Sequence, residues 1–283
     1  MSRGLPEPST PEGAAGLTAL LAEPARAVLA LDYDGTLAPI VDRPEDAVPA
    51  PGALEALARV ARTVGVVALV TGRPARQVVE LAGLDRAAGL PSLQVLGQYG
   101  LQRWDARSRR FDSPPPLPGV DEARRRLAEL LADPASGSAT EGVAVEDKET
   151  ALVVHFRRAT DPDAAQEQLS ASLTALAEQV GLEPHPGRRV LEMRPPGFDK
   201  GGALAGLVRA HEARAVLFAG DDVGDLPAFD AVVDARAAGV PGMLVCSASE
   251  EVTGLAERAD LVVPGPAGVV DLLERLGAVL GDG

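Results

Sequence analysis

The sequence predicts an α/β protein: a parallel sheet with helices on both faces, interrupted once by a smaller α+β insert. Three observations carry that expectation. Short, fully apolar runs alternate with helix-period segments towards both ends of the 283-residue chain, the pattern of a parallel sheet buried on both faces. In the middle, closely spaced strand candidates surround a long helix, beyond a stiff proline-rich segment. Carboxylates and hydroxyls follow directly on the apolar runs, at the strand ends where such sheets bind ligands.

Residues 1–16, rich in Pro, Gly and Glu, read as a flexible tail. Residues 28–31 are the first apolar strand. Residues 51–64 place Leu54, Leu57, Ala58 and Ala61 on one helical face. A second strand, 65–70, ends at Thr71-Gly72-Arg73-Pro74, where a helix starts at the proline. A third strand covers 93–97. Late in the chain the rhythm returns: helix 202–212, strand 215–219, helix from 226, strand 243–246, helix 250–258, strand 261–263 and helix 269–280. The segment 113–118 punctuates the chain with four prolines. After it come helix 120–131, strands 142–147 and 151–157, helix 163–180 and strand 188–194, expected as an antiparallel sheet with helices on one face. The expected domains are a core, 17–113 with 195–283, and an inserted cap, 114–194.

With 46% hydrophobic and 24% charged residues the chain can bury real cores, built from Ala, Val and Leu because only 3% are aromatic. Asp and Glu outnumber Lys and Arg by 41 to 27, a net charge of −14. Such a surface repels nucleic acid and anionic membranes, so neither is expected as a partner. There is no signal-peptide core and no long apolar span, and Cys246 is the single cysteine, so no internal disulfide can form. These features lead to the expectation of a cytoplasmic protein. Cys246 lies in an apolar run and reads as a buried structural thiol.

The chemistry is concentrated in four places. Asp32-Tyr33-Asp34-Gly35-Thr36 follows the first strand. A phosphate ester can be hydrolysed in two steps through an aspartyl-phosphate, one carboxylate attacking while a second acid protonates the leaving alcohol. Alternate residues of an extended chain point the same way, so Asp32 and Asp34 can share a site, and Gly35 permits the turn that follows. A strand ending in an ordinary Asp-Gly turn would account for this motif alone, but not for the other three. Lys200 stands at a helix start, where a compact ammonium and the helix dipole both favour anions. Gly220-Asp221-Asp222-Val223-Gly224-Asp225 holds three carboxylates, whose burial requires a cation; oxygen ligands favour Mg²⁺. Thr71, Gly72 and Arg73 offer a hydroxyl, backbone N–H groups and a guanidinium to phosphate. For Arg73 a structural salt bridge is an equal alternative.

In this order the four pieces resemble motifs one to four of the haloacid dehalogenase (HAD) phosphatases, and the insert resembles a C2-type cap. Over nearly the whole chain after the tail, the sequence is similar to the trehalose-6-phosphate phosphatases. That similarity rests on Leu37-Ala38-Pro39-Ile40 with Pro44, Val145-Glu146-Asp147-Lys148 with His155-Phe156-Arg157, and Leu191-Glu192-Met193-Arg194-Pro195 ahead of Lys200. The resemblance implies a HAD-like Rossmannoid core and hydrolysis of trehalose 6-phosphate, a small-molecule substrate, in trehalose biosynthesis. It implies that Asp32 is the nucleophile and Asp34 the general acid and base. Mg²⁺ would be held by Asp32, the Asp34 carbonyl and Asp221, with Asp222 and Asp225 in support, and phosphate by Thr71 and Lys200. Glu146, Lys148, Arg157, Arg188 and Glu192 would meet the disaccharide or its phosphate from the cap. Strand alternation agrees, placing Glu146 with Lys148, His155 with Arg157, and Arg188 with Glu192. His155 reads as a supporting residue.

Three departures from the family pattern are present. Gln98-Tyr99 replaces the usual x-His of a Gly-x-His-Gly loop, Gly224-Asp225-Leu226 replaces a Thr-Asp-Glu, and Arg188 stands where lysine is usual. Two competing functions remain: a capped phosphatase for sucrose phosphate or mannosyl-phosphoglycerate, and a sugar-phosphate-binding regulator without turnover. Intact Asp32, Asp34, Lys200 and Asp221 argue against the second.

Overall fold

The computed structural model describes residues 4–41, 43–115, 117–133, 139–248 and 254–281. In chain order the first strands are β1 (Ala27–Leu31), β2 (Val66–Val70), β3 (Leu93–Gly97), β4 (Gln102–Asp105) and β5 (Arg110–Asp112). Then come β6 (Ala144–Asp147), β7 (Leu152–His155), β8 (Glu183–Gly187), β9 (Val190–Arg194), β10 (Ala215–Gly220), β11 (Gly242–Ser247) and β12 (Leu261–Val263). The helices are α1 (Pro11–Ala22), α2 (Ala53–Val60), α3 (Ala75–Leu81), α4 (Pro118–Ala132), α5 (Pro162–Gln179), α6 (Lys200–Ala210), α7 (Leu226–Ala237) and α8 (Gly265–Gly281).

The chain divides into two compact units, Met1–Ser113 with Phe198–Gly283, and Pro114–Gly197. In the first, eight strands form one sheet in the order β12-β11-β10-β1-β2-β3-β4-β5. The ladders from β12 to β3 are parallel, and β4 and β5 continue antiparallel. Every residue of β1, β2, β3, β10 and β11 is buried, because helices cover both faces. Alternation sorts the side chains. Leu29, Leu31, Val67 and Leu69 pack with Leu57 and Val60 of α2 and Leu272 and Leu276 of α8. Val28, Ala30, Val66 and Ala68 pack on the other side with Leu204 and Leu207 of α6 and Phe229 and Val232 of α7. Each of the Val, Leu and Phe side chains contributes about 1.5–3 kcal/mol by leaving water. The strand ends carrying Asp32, Thr71 and Asp221 are held side by side by this register.

Residues 11–16, expected within a flexible tail, belong to α1. The hydroxyl of Thr10 accepts from Gly13 N at 3.0 Å, Pro11 occupies the first turn, and Leu20 is buried. Gly16 lies so close to β11 that a Cβ would stand 2.1 Å from the Gly242 carbonyl oxygen. Gly13 and Gly16, two of the glycines that suggested disorder, are points of close packing. The β4–β5 hairpin was also not anticipated; Trp104 and Phe111 face each other across it and close the core at that edge. Of the expected helix 250–258, residues 250–253 lie outside the described residues, and 256–258 form a single 3₁₀ turn. Helix α3 begins one residue after Pro74, which serves as its N-cap. No helix among the described residues is long and apolar enough to cross a membrane.

The second unit is an antiparallel sheet in the order β6-β7-β9-β8. Leu152, Val154, Leu191 and Met193 pack on one face with Val120 and Leu127 of α4 and Leu169, Leu173 and Leu176 of α5. Cross-strand partners share a face, so the register Glu146–Val153–Glu192–His185 lies on the opposite, polar face. Strand β8 contains Pro184 and Pro186, tolerated because it is an edge. The unit closes at residue 197, three residues beyond the boundary read from the sequence.

Candidate active site

The site of the first unit lies at the C-terminal end of β1. Asp32 extends the ladder, its N–H donating to Ala219 O at 2.8 Å. At Gly35 the chain adopts φ +72°, and a Cβ there would stand 1.9 Å from a carboxylate oxygen of Asp221. Only glycine lets the loop pass this close. Ser247, at the end of β11, anchors the turn by donating to Gly35 O at 2.7 Å. Thr36 donates to Asp221 at 3.4 Å. Both contacts had a signal in the sequence: Thr36 belongs to the Asp-x-Asp-Gly-Thr motif, and Ser247 ends an apolar run.

Asp199 caps α6 by accepting from Gly202 N at 2.6 Å, which makes Lys200 its first residue. The Lys200 ammonium stands 2.8 Å from Asp32 Oδ1 and 2.7 Å from Asp225 Oδ1. The second oxygen of Asp225 accepts from the backbone N–H of Asp221 at 2.9 Å and of Asp222 at 3.3 Å. Asp225 therefore fixes both the lysine and the acidic loop. Burial drives the Asp32 carboxyl well above its ordinary pKa; Lys200 opposes this, and Asp225 and Asp221 add to it. Burial, Asp222 and Asp225 raise Asp221 to about 7, against Lys200 and the Thr36 hydroxyl. Burial works against charge on Lys200 too, but Asp225 and Asp32 outweigh it and hold the ammonium well above the usual lysine range.

Asp32, Asp221 and Asp225 present carboxylate oxygens within 4.8 Å of one another. One ammonium faces three buried carboxylates, a negative excess in a place of low dielectric. The donors are all hard oxygens, and a small divalent cation fits them. Asp222 does not join the group: it is exposed and its Oδ1 accepts from Gly224 N at 2.8 Å, capping the turn.

Arg73 takes the salt-bridge alternative. Its Nε and Nη2 donate to the two oxygens of Asp34 at 2.6 and 2.7 Å, and Nη1 donates to Pro44 O at 2.9 Å. Thr71 is buried, and its hydroxyl oxygen accepts from Arg73 N at 3.1 Å. At Gly72 a Cβ would lie 2.7 Å from the Tyr99 hydroxyl. The loop 97–100 is thus packed against the 71–73 turn, with Gln98 and Tyr99 at φ +49° and +59°. A left-handed conformation costs such residues ~1–2 kcal/mol each.

In the second unit Glu146, Lys148 and Glu192 share the polar face, but already have partners. Glu146 meets His155 at 2.9 Å, and Lys148 meets the nearly buried Glu192 at 3.0 Å. Arg157 and Arg188 depart from the expected strand positions: β7 ends at His155 and β9 begins at Val190, so both lie exposed in turns. Sequence alternation missed His185, which joins this polar group through Arg194 at 3.3 Å; nothing in its own segment signals that role.

The family model of trehalose-phosphatases matches residues 30–262. The chain belongs to the trehalose-phosphatase family. Among curated relatives, the trehalose-phosphate phosphatase of Mycobacterium avium is 30% identical over 87% of this chain and 60% of its own length. The Mycobacterium leprae protein of the same description is 32% identical over 89% of this chain and 57% of its own. The chain thus spans about three fifths of the length of these relatives. The solved structure of trehalose-6-phosphate phosphatase from Aspergillus fumigatus superposes with a TM-score of 0.68 at 24% identity, covering 98% of this chain and 100% of that one. That likeness is one of fold.

Proposed function

We propose that this protein is a Mg²⁺-dependent phosphatase that hydrolyses trehalose 6-phosphate to trehalose and inorganic phosphate. The observation that carries the reading is the family match across residues 30–262, which joins the buried Asp32–Lys200–Asp225 group and the Glu192 strand in one chain. The unit 114–197 serves as the cap that supplies sugar contacts. A cytoplasmic setting suits a chain whose one cysteine is buried.

In the first step Asp32 attacks phosphorus and the bond from phosphorus to the sugar oxygen breaks. Asp34 gives its proton to that oxygen, releasing trehalose and leaving an acyl phosphate (aspartyl-phosphate) on Asp32. In the second step Asp34 takes a proton from water as the water oxygen attacks phosphorus, and the Asp32 carboxylate departs. Lys200 and the Thr71 hydroxyl bind the phosphoryl oxygens, and Asp225 keeps Lys200 in place. Mg²⁺, held by Asp32, the Asp34 carbonyl and Asp221, would neutralise charge on the transferring group. Glu146, Lys148 and Glu192 accept from or donate to sugar hydroxyls, which selects the disaccharide.

The test is phosphate release across a panel of sugar phosphates, with and without Mg²⁺. Trehalose 6-phosphate is expected to give the highest kcat/KM. A higher value for sucrose phosphate or mannosyl-phosphoglycerate would move the substrate, and absence of turnover on all of them would refute the enzyme.

A further inference from the structure

On the polar face of the second unit a chain of charged contacts runs from the β6–β7 turn to β9 and on to β8. Lys148 Nζ stands 3.0 Å from Glu192 Oε1, and Arg194 Nη1 stands 3.8 Å from Glu192 Oε2. The Arg194 guanidinium also approaches His185 Nδ1, with Nη2 at 3.3 Å. His185 and Glu192 are cross-strand partners in the register of β8 and β9. Guanidinium only donates hydrogen bonds. His185 Nδ1 must therefore be the acceptor, a lone pair with no proton. The ring is neutral in this arrangement and carries its hydrogen on Nε2, which lies 3.5 Å from Glu183 Oε2.

We propose that His185 is a positioning residue for substrate: its neutral ring holds Arg194, Arg194 and Lys148 together hold Glu192, and protonation of the ring releases that set, so that capture of the disaccharide weakens in acid. A proton on Nδ1 removes the acceptor and places a second positive charge 3.3 Å from the guanidinium. The groups acting on the ring are Glu183 from its own strand and Arg194 and Glu192 from β9. Burial and Arg194 disfavour its charged form, and the two carboxylates oppose them; the balance lies with the neutral ring. The proposal rests on the reading of this face as the sugar-binding surface. It adds a residue that none of the family motifs above contains.

The experiment measures KM and kcat for trehalose 6-phosphate and for p-nitrophenyl phosphate from about pH 8 to about pH 5.5, spanning the ordinary histidine titration. Wild type is compared with His185→Gln, which keeps an acceptor oxygen for Arg194 and cannot gain a proton. The ratio of wild-type to variant KM for trehalose 6-phosphate cancels ionisation of the substrate and of the catalytic groups. That ratio should rise about ten-fold in acid, the scale of one charged hydrogen bond. The same ratio for p-nitrophenyl phosphate, and the kcat ratio for both substrates, should stay level. His185→Leu should have a raised KM for trehalose 6-phosphate at every pH. A KM ratio independent of pH would overturn the inference while leaving the phosphatase standing. No turnover of trehalose 6-phosphate at any pH would overturn the function and this inference with it. Ring ¹⁵N shifts of the wild type give a reading independent of folding in the variants. The Nε2–H tautomer at neutral pH supports the inference, and a charged His185 ring there overturns it.

Discussion

Arg73 grips both oxygens of Asp34, at 2.6 and 2.7 Å, while Asp32, two residues earlier, is held by Lys200 at 2.8 Å. The two carboxylates of one motif are thereby separated in environment. The Asp34 side chain is 37% exposed and that of Asp32 only 6%. A buried carboxylate beside an ammonium suits attack on phosphorus; a carboxylate at the rim can exchange a proton with water. The bond to Arg73 also aims Asp34, since a bidentate pair fixes orientation as well as distance.

Arg73→Gln should therefore lower kcat about 10- to 100-fold, as loss of one charged hydrogen-bonded pair implies. Arg73→Lys should recover little, because an ammonium cannot hold both oxygens in one plane. Steady-state kcat with an unchanged melting temperature checks this; wild-type turnover in both variants would mean that aiming Asp34 is unnecessary.

Asp32→Asn should reduce kcat by at least ~10³-fold, because an amide does not attack phosphorus. The fold should survive, since Lys200 keeps its 2.7 Å contact with Asp225 and one of three crowded carboxylates loses its charge. Circular dichroism and phosphate release on the same sample decide it, after mass spectrometry excludes deamidation.

Mg²⁺ should both activate and stabilise. Asp32, Asp221 and Asp225 repel one another without a cation, and a ligand bound only by the folded state at 100 times its Kd adds ~2.7 kcal/mol. Thermal melts should shift upward with Mg²⁺ and return on adding EDTA. Asp221→Asn should lose most of that shift. A melt indifferent to Mg²⁺ in the wild type would remove the metal from this site.

Glu192→Ala should lower kcat/KM for trehalose 6-phosphate by ~10²-fold, the scale of one or two charged hydrogen bonds. The variant also leaves Lys148, 3.0 Å away, without that carboxylate. Hydrolysis of p-nitrophenyl phosphate, which has no sugar, should change far less. Equal losses on the two substrates would assign Glu192 to folding or to the chemistry itself.

Asp260→Ala should cost ~3–5 kcal/mol of stability, the penalty for breaking a buried charged pair from one side. Asp260 is 2% exposed, pairs with Arg236 and accepts from Thr10 and, at 2.6 Å, from Leu244 N. It ties α1 and α7 to β11. Chemical denaturation measures the loss; a change below about 1 kcal/mol, ordinary for a surface site, would show that α1 is not anchored there.

Residue type and order along the chain were enough to determine the parallel core and the insert, and to single out Asp32, Lys200 and Asp221, which the fold gathers at the strand ends. β3 and β12 lie where the apolar runs placed them, β1, β2 and β10 differ by one residue at one end, and β11 is longer by one residue at each end. A strand buried on both faces leaves an unbroken apolar signature. Elements with weaker signatures went unseen. In β4 and β5 one face carries Arg103, Asp105, Arg110 and Asp112, which obscures the apolar alternation of Trp104 and Phe111. In β8 the prolines speak against a strand, and only its edge position permits them. In α1 the glycines resembled a tail until β11 was beside them. Partnership was decided by tertiary structure alone. Lys200 lies between Asp32 and Asp225 and Arg73 reaches back to Asp34 within the first unit, and His185 meets Arg194 within the second, because each unit's own packing brings those positions together. Periodicity reports which way a side chain points within its own element; which charge it meets depends on packing between elements, and that is where the energy of a buried ion pair is set.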